Sequence, residues 1–384
     1  MEETKQFKVV FPFVEAGLGH IMPMRAIADA FERKYGGRAE VVRLDFFRAK
    51  GDPDMKFVED ELIREVKLHN SRRGRGSAQF FLMRVAGARL AMKYLMAKRY
   101  GRGFEKSLAF MRELDADLIF NTHFSTLYYA CEAKRRGWTA AQIVAYCPDP
   151  VLGLQWDSRA DLIGVSGGGK ARAEKTRYFK KTALAEVPFL IRSEIKEYTR
   201  GKAHYRRELG LPEENFTILL ADGAYGAGKL RETVLELLKS PQKMTLAAVC
   251  GKNEALYREF CALSAPDNIT FKPYGFTDKT LALAAAADLF VGKAGASNLA
   301  EPAYFGVPAI VTFCATPIEK WICAHYTAGG AAVRVGNAKK AAALARSWAE
   351  SPDKMSPYIA ACARHRRADG AEVFADLLWE RLTV

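Results

Sequence analysis

Short apolar runs alternate with amphipathic stretches along most of the 384-residue chain. Ten runs predict strands, because each is almost continuously apolar and lies between stretches with the apolar spacing of a helix. They cover residues 7–14, 39–45, 117–121, 141–147, 161–166, 216–222, 244–250, 268–272, 287–292 and 308–313. Apolar strands separated by helices are typical of parallel sheets that helices cover on both faces. The pattern therefore predicts an α/β fold.

The alternation is interrupted at residues 188–206, a charged stretch, and it restarts afterwards. A chain of 384 residues is also longer than one ordinary hydrophobic core supports. We expect two doubly wound, Rossmann-like domains facing a cleft, residues 1–195 and 196–384, with the last helix a candidate to pack back on the N-terminal domain. Such sheets bind ligands outside the carboxyl ends of their strands, so the loops after the strands matter most.

Glycine-rich corners follow four of the predicted strands. They read EAGLGH at 15–20, DGAYGAG at 222–228, CGKN at 250–253 and GKAGAS at 292–297. Glycine lets the backbone turn sharply beside a ligand, and the next helix directs its free N–H groups at an anion. Three corners in the C-terminal half predict a phosphate-bearing ligand, with a simple connecting turn as the alternative for each. None matches the dinucleotide fingerprint or the P-loop.

Two polar side chains near these corners have both a structural and a functional interpretation. Glu301 lies about one turn into a helix that Ser297 is placed to cap, so its carboxylate suits either the start of the helix or a vicinal diol such as ribose. His20 follows the first corner, where it either caps a helix or accepts a proton near neutral pH. The residues alone leave these alternatives open.

The net charge of +14 favours an anionic partner. Most of the excess falls within residues 69–106, which hold ten Lys or Arg and one acid, Glu105. Basic residues alternate there with apolar ones, and the candidates for membrane contact are Arg72, Arg73, Arg75, Phe80, Phe81, Arg84, Arg89 and Lys93. This pattern is typical of a helix in a membrane interface, although a core helix with a solvated basic face is the alternative. No nucleic-acid partner is expected, because no recognition motif is present.

The cysteines indicate the cellular compartment, and the lengths of the apolar runs indicate whether any segment can span a membrane. Seven scattered cysteines without a Cys-x-x-Cys pair predict neither a disulfide framework nor a zinc site. No apolar run approaches the ~20 residues that span a bilayer, and the polar first residues do not follow the pattern of a signal peptide. The cysteines therefore favour a reducing cytosol, and together with the basic segment at residues 69–106 these features lead us to expect a peripheral protein at the cytoplasmic face of the membrane.

Residues 291–311, VGKAGASNLAEPAYFGVPAIV, resemble the donor-binding signature of the glycosyltransferases that make galactosyl- and glucosyl-diacylglycerols. The lipid II-forming N-acetylglucosaminyltransferases are more distant relatives of that family. Four further stretches are similar to motifs of the family and follow the same order: AGLGHIMPMRAIADAF from residue 16, YCPDP from residue 146, CGKN, and GFTDK from residue 275. The resemblance extends over roughly residues 8 to 320.

The resemblance implies a GT-B fold and an inverting, metal-independent transfer of a sugar from UDP, without a cofactor. The N-terminal domain would bind the acceptor and the membrane, with His20 and Gly19 by the acceptor hydroxyl, and the C-terminal domain would bind the UDP-sugar. Glu301 would hold the ribose. The other implied nucleotide-sugar contacts are Gly223, Gly226, Gly228, Gly251, Lys252, Asn253, Phe276, Gly295, Ala296, Ser297 and Glu319.

One loop differs from the family pattern. The family has Gln-Glu-x-Gly-Asn where sugar hydroxyls are held, whereas this chain reads IEKWI at 318–322. Glu319 is retained, but Ile318, Trp321 and Ile322 replace the Gln, Gly and Asn. The sequence therefore does not specify which hexose is transferred.

The resulting prediction is a hexosyltransferase acting on a diacylglycerol-type lipid at an anionic membrane surface. A base must take the acceptor proton, and His20 is the first candidate, with Asp149 the second. Two alternatives remain: a transferase of the same fold acting on a polyprenyl carrier or a soluble sugar, and a non-catalytic protein that binds membranes or nucleic acid.

Overall fold

The computed structural model describes residues 6–15, 18–71, 88–223, 228–366 and 369–384. The chain divides into two compact units. Unit 1 comprises Met1–Val187 and Gly370–Val384, and unit 2 comprises Pro188–Asp369. Unit 1 is therefore built from both ends of the chain, and unit 2 from the middle.

Twelve strands and fourteen helices lie within the described residues. The strands are β1 (Phe7–Phe13), β2 (Ala39–Asp45), β3 (Leu118–Asn121), β4 (Gln142–Tyr146), β5 (Leu162–Val165), β6 (Leu184–Glu186), β7 (Phe216–Ala221), β8 (Met244–Val249), β9 (Ile269–Tyr274), β10 (Leu289–Lys293), β11 (Ala309–Phe313) and β12 (Ala332–Arg334). The helices are α1 (Leu18–Tyr35), α2 (Pro53–Ser71), α3 (Ala88–Glu113), α4 (Phe124–Arg135), α5 (Gly169–Glu174), α6 (Lys202–Glu208), α7 (Leu230–Leu237), α8 (Glu254–Cys261), α9 (Thr280–Ala286), α10 (Ala296–Tyr304), α11 (Pro317–Ala328), α12 (Ala338–Glu350), α13 (Ser356–Arg366) and α14 (Gly370–Thr383). Short 3-10 turns lie at Arg177–Phe179, Ser193–Glu197 and Pro352–Met355.

Unit 1 contains a parallel sheet in the strand order β2-β1-β3-β4-β5-β6. Its core includes an aromatic cluster in which Phe46 contacts Phe47, Phe110 and Tyr129. α3 is interrupted at Gly101, whose φ of +46° favours glycine.

Unit 2 contains a second parallel sheet, in the order β12-β11-β10-β7-β8-β9. Two separate clusters of buried apolar residues pack in this unit, and the strands contribute side chains to both. β8 is buried at every position, as expected for a central parallel strand that is covered on both faces.

The C-terminal helix α14 packs on α1 in unit 1. The Trp379 ring stacks on Tyr35, with centroids 4.6 Å apart, and the Arg38 guanidinium lies 4.2 Å from the Trp379 ring centroid. Ion pairs from Arg33 and Lys34 to Glu372 and Asp376 add to the contact. Aromatic stacking and cation–π contacts of this kind stabilise the docking of a surface helix.

All ten predicted strands are present, with ends that differ by at most two residues. Two strands were missed, β6 and β12. Each has only three residues and includes a charged one, so neither forms an apolar run that sequence analysis can recognise.

Candidate active site

Side chains suited to proton transfer lie at the carboxyl ends of three neighbouring strands in unit 1. β1, β3 and β4 lie side by side in the sheet. The helix after β1 carries His20, the loop after β3 carries Thr122 and His123, and the loop after β4 carries Asp149. Gly19 lies in the first turn of α1, beside His20. Parallel sheets bind their ligands at this edge, so it is the candidate site of unit 1.

Two hydrogen bonds tie His20 to the end of β3. The His20 Nδ1 atom lies 2.6 Å from the Thr122 carbonyl oxygen, and Thr122 Oγ1 donates to the His20 carbonyl oxygen at 2.8 Å. A carbonyl oxygen can only accept, so Nδ1 carries a proton. In the neutral ring, Nε2 then holds the lone pair that can take a proton from a hydroxyl group.

The surroundings of His20 favour the neutral imidazole. Burial lowers its pKa, and the hydrogen bond to the Thr122 carbonyl raises it by less. A histidine with a lowered pKa is neutral at pH 7, which is the state that a general base needs. The geometry fits the predicted role of His20 as the base, and that role stays a prediction.

His123 is a second histidine at this edge, and the sequence analysis did not identify it. Its side chain is buried, with 2 % of the residue surface exposed. The ring centroid lies 4.7 Å from that of His20, with 79° between the ring planes. Burial, followed by the proximity of His20, holds the pKa of His123 well below its usual range. The polar pair Thr122–His123 directly after a predicted strand is the signal that could have identified it.

Asp149, the second candidate base, lies in the loop after β4. Burial raises the pKa of its carboxyl group to about 6. A carboxyl group with this pKa is mostly ionised at pH 7 and can still accept a proton. Asp149 therefore also stays a candidate.

The glycine corners of unit 2 lie at the carboxyl ends of β7, β8 and β10. The strand order changes direction between β7 and β10, a topological switch point where such sheets bind ligands. A Cβ atom at Gly292 would lie 1.9 Å from the Ala221 carbonyl oxygen, so only glycine allows this approach of β10 to β7. Gly223 has a φ of +78°, and a Cβ there would lie 3.4 Å from Lys293 Cε.

The N-terminus of α10 lies at this switch point. Gly295 is the N-cap residue and has no side chain to bond the first N–H groups of the helix. Ala296 and Ser297 form the first turn, and Ser297 is exposed. The expectation that Ser297 caps the helix is therefore wrong, because the helix begins one residue before it. A helix start without a capping side chain offers N–H groups and partial positive charge to an anion.

Glu301 is bound to an arginine that the sequence analysis did not identify. Its carboxylate is buried, with 6 % of the residue exposed. Arg192 binds both carboxylate oxygens, with Nε 2.8 Å from Oε1 and Nη2 2.9 Å from Oε2, and the same Nη2 donates to Thr280 Oγ1 at 2.8 Å. A carboxylate oxygen accepts more than one hydrogen bond, so this pairing leaves capacity for a ribose hydroxyl. The role of Glu301 in binding ribose stays a prediction.

Gly228 approaches the side chain of Asp222. A Cβ atom at Gly228 would lie 2.3 Å from Asp222 Oδ2, and this oxygen accepts a hydrogen bond from Leu230 N at 2.7 Å. Asp222 thus places a carboxylate at the start of α7, where the glycine corner was expected to bind a phosphate group of the ligand. Gly228 also lines an open pocket together with Asn253 and the ion-paired Arg231 and Glu259.

The CGKN corner has a structural function and an exposed neighbour. Gly251 has a φ of +60°, and the Asn253 side chain caps α8 by accepting from Leu256 N at 3.1 Å. Lys252 Nζ lies 5.3 Å from the Phe276 ring centroid, and Phe276 is 72 % exposed. An exposed phenylalanine beside a cation offers a surface on which a planar base can stack.

Glu319 is held in place by two elements. Lys293 donates to its Oε1 at 2.8 Å, and the backbone N–H of Ala315 donates to Oε2. The ion pair between Lys293 and Glu319 joins the end of β10 to the first turn of α11. Trp321 lies on the same helix with 44 % of its surface exposed, whereas Ile322 is buried.

Several predicted contacts lie outside the described residues, namely Arg72, Arg73, Arg75, Phe80, Phe81, Arg84 and Gly226. Arg89 and Lys93 belong to α3. Of the helices that the structure describes, none is both long enough and apolar enough to cross a membrane. Across the same residues, His, Cys, Asp and Glu form no group of three or more that could hold a metal ion.

The middle of unit 2 matches a known family of domains. Residues 217–315 match the glycosyltransferase family 28 C-terminal domain. A UDP-N-acetylglucosamine–N-acetylmuramyl-(pentapeptide) pyrophosphoryl-undecaprenol N-acetylglucosamine transferase from Acetivibrio thermocellus is 34% identical over 36% of this chain and 38% of its own length. The enzyme of the same name from Desulforudis audaxviator is 25% identical over 76% of this chain and 75% of its own. A processive diacylglycerol beta-glucosyltransferase from Bacillus subtilis is 28% identical over 32% of this chain and 31% of its own.

Solved structures match nearly the whole chain. MurG from Acinetobacter baumannii superposes with a TM-score of 0.62 and 14% identity, over 98% of this chain and 99% of that one. HepE from Anabaena in complex with UDP-glucose gives a TM-score of 0.57 and 13% identity, over 98% and 100% of the two chains. These similarities establish the two-sheet architecture as the GT-B fold. The chain is therefore a glycosyltransferase with the GT-B fold, and its residues 217–315 match the glycosyltransferase family 28 C-terminal domain.

Proposed function

We propose that this glycosyltransferase moves a hexose from a UDP-sugar, with inversion, to a hydroxyl group of a diacylglycerol-type lipid at the cytoplasmic face of an anionic membrane. The observation that carries the proposal is the uncapped start of α10, which lies inside the family 28 domain at the switch point of the sheet. A diphosphate is the anion that such a helix start suits. Glu301, one turn further along α10, would bind the ribose.

The proposed reaction needs one proton transfer and one exchange of bonds. His20 Nε2 takes the proton of the acceptor hydroxyl as its oxygen bonds to the anomeric carbon. The bond from that carbon to the diphosphate oxygen breaks, and its electron pair leaves with UDP. The sugar passes through an oxocarbenium-like state, while the N–H groups at the start of α10 stabilise the charge that develops on the diphosphate.

A sugar carried on a polyprenyl diphosphate is the second candidate acceptor. The relative from Desulforudis audaxviator, whose alignment covers 76% of this chain, is named for transfer to a pyrophosphoryl-undecaprenol substrate. The diacylglycerol-specific relative aligns over 32% of this chain. Both acceptors present a hydroxyl group at a membrane surface, so the same base and the same donor site would serve either one.

The basic segment at residues 69–106 would attach the enzyme to that surface. Each Lys or Arg near an anionic bilayer contributes on the order of 1 kcal/mol, and the attraction falls off within a Debye length. The segment holds ten such residues and one acid, so the attraction would depend strongly on salt.

One assay tests donor and acceptor together. UDP-glucose, UDP-galactose and UDP-N-acetylglucosamine are each incubated with anionic vesicles that contain diacylglycerol, undecaprenyl-diphosphate-linked N-acetylmuramyl-pentapeptide, or neither. We expect a glycosylated diacylglycerol and release of UDP. Product from the undecaprenyl substrate alone would favour the second candidate. Absence of UDP release in every combination, with no thermal stabilisation by UDP, would refute the proposed function.

A further inference from the structure

We propose that His123 is a positioning residue for the reaction: its buried ring holds the His20 imidazole in the orientation that leaves Nε2 free to take the acceptor proton. The inference rests on the proposed function, because it concerns the base assigned there. It adds a residue that the sequence motifs do not include.

The His123 ring is itself fixed on two sides. It is the N-cap residue of α4, where Nδ1 accepts from Ser125 N at 3.3 Å and lies 2.6 Å from Ser125 Oγ. The ring also stacks on Phe124, with centroids 4.4 Å apart and 29° between the planes. A side chain that is buried, capped and stacked in this way has one orientation available.

The bond from the Ser125 backbone N–H indicates the protonation state of His123. Because Nδ1 accepts from a backbone N–H, it holds a lone pair, and the proton of the neutral ring is on Nε2. Protonation of Nδ1 would remove the cap of α4. A ring that stays neutral while His20 titrates places no like charge beside the base, and its low pKa is consistent with this.

His20 is then held from two directions. The Thr122 carbonyl oxygen accepts from Nδ1, and the His123 ring meets the His20 ring at 79° with 4.7 Å between centroids. Rotation of the His20 ring by half a turn would break the bond to Thr122, and the buried His123 ring restricts the smaller tilts. Among the described residues, the influences on the pKa of His20 are burial and the Thr122 carbonyl.

Two substitutions separate this role from the capping of α4. His123→Asn keeps a side-chain oxygen that can cap the helix but removes the ring. His123→Phe keeps a ring of similar shape but removes the acceptor. The assay is hexose transfer across pH 5 to 9 with the full chain on anionic vesicles, together with melting temperature and affinity for UDP.

We expect His123→Asn to lower kcat by about tenfold to hundredfold, the loss that a small misplacement of a catalytic group produces. The acid limb of its pH–rate profile should move to higher pH, because water that reaches His20 raises the pKa that burial lowers. The affinity for UDP should not change. His123→Phe should retain most of the turnover and the wild-type acid limb. The opposite pattern, with His123→Asn active and His123→Phe inactive and less stable, would overturn the proposal in favour of a purely capping role.

A readout independent of turnover separates this inference from the proposed function. In full-length protein labelled with ¹⁵N-histidine, the nitrogen shifts report which ring nitrogen of His20 carries the proton. We expect the Nδ1–H form in the wild type and a mixture of forms in His123→Asn. A wild-type His20 protonated on Nε2 alone would overturn the proposal even if hexose transfer is observed. If no transfer is observed, the proposed function fails while the nitrogen shifts still decide the role of His123.

Discussion

Replacing Glu301 by glutamine should weaken binding of UDP through the ribose while leaving the diphosphate contacts unchanged. The amide loses the charge and one of the two acceptor oxygens that a ribose diol needs. Loss of one such hydrogen bond to a charged group corresponds to about 1.5–3 kcal/mol, so UDP affinity should fall by at least roughly tenfold, since each 1.4 kcal/mol is tenfold.

The same substitution should also lower the stability of the protein, because Glu301 forms an ion pair with Arg192. Breaking a buried ion pair typically costs about 3–5 kcal/mol. The Arg192 side chain is 33% exposed and also bonds Thr280, so water and the hydroxyl compensate part of the loss. We therefore expect Glu301→Gln to lower the free energy of unfolding by about 1–2 kcal/mol, between the surface and buried limits.

Calorimetric titration separates the two effects. UDP, 2′-deoxy-UDP and inorganic diphosphate are titrated into the wild type, Glu301→Gln and the control Arg192→Met, with unfolding measured in urea. The preference for UDP over 2′-deoxy-UDP should disappear in Glu301→Gln, while the affinity for diphosphate stays the same. If all three ligands weaken equally, the carboxylate supports the helix and not the ribose, and the assignment is wrong.

Three further changes test other parts of the molecule. His20→Ala should lower turnover by ~10²–10⁴, the range for a general base, and should abolish an acid limb that lies below pH 6.5 because burial lowers the pKa of His20; near-normal turnover would contradict this role. Trp379→Ala should lower the free energy of unfolding by about 2–3 kcal/mol through lost packing on α1, and an unchanged urea midpoint would contradict it. Neutralising Arg72, Arg73 and Arg75 together should release the protein from anionic vesicles in flotation, as added salt should, whereas binding that does not depend on salt would show that apolar side chains dominate.

The strands could be predicted from the sequence because burial on both faces leaves a continuous apolar run. β8 shows this directly, since all six of its positions are buried. The glycine corners could be predicted for a similar reason. Positive φ at Gly223 and Gly251, and the contact of Gly292 with the neighbouring strand, each require glycine and therefore leave a trace in the sequence.

The contacts that shape the candidate sites could not be predicted in this way. Arg192 and Glu301 are 109 residues apart in the chain, and His20 and Thr122 are 102 apart. No local period or spacing encodes such pairs, because they arise only when distant loops meet at one edge of a sheet. The partner residues, Arg192 and Thr122, are also ordinary polar residues, and sequence analysis cannot distinguish them from polar residues that face solvent.

The return of α14 to unit 1 has a consequence for synthesis of the chain. Phe374 packs on Phe120 and Tyr146 and fills the space beside Gly164, where a Cβ would lie 1.9 Å from its ring. α14 is synthesised after all of unit 2, so unit 1 keeps an apolar surface open until residues 370–384 are added, whereas every residue of unit 2 precedes them. A fragment that ends at residue 369 should therefore show a protease-resistant unit 2 and a protease-sensitive unit 1, with both units resistant in the full chain. Addition of α14 is then the step that completes unit 1.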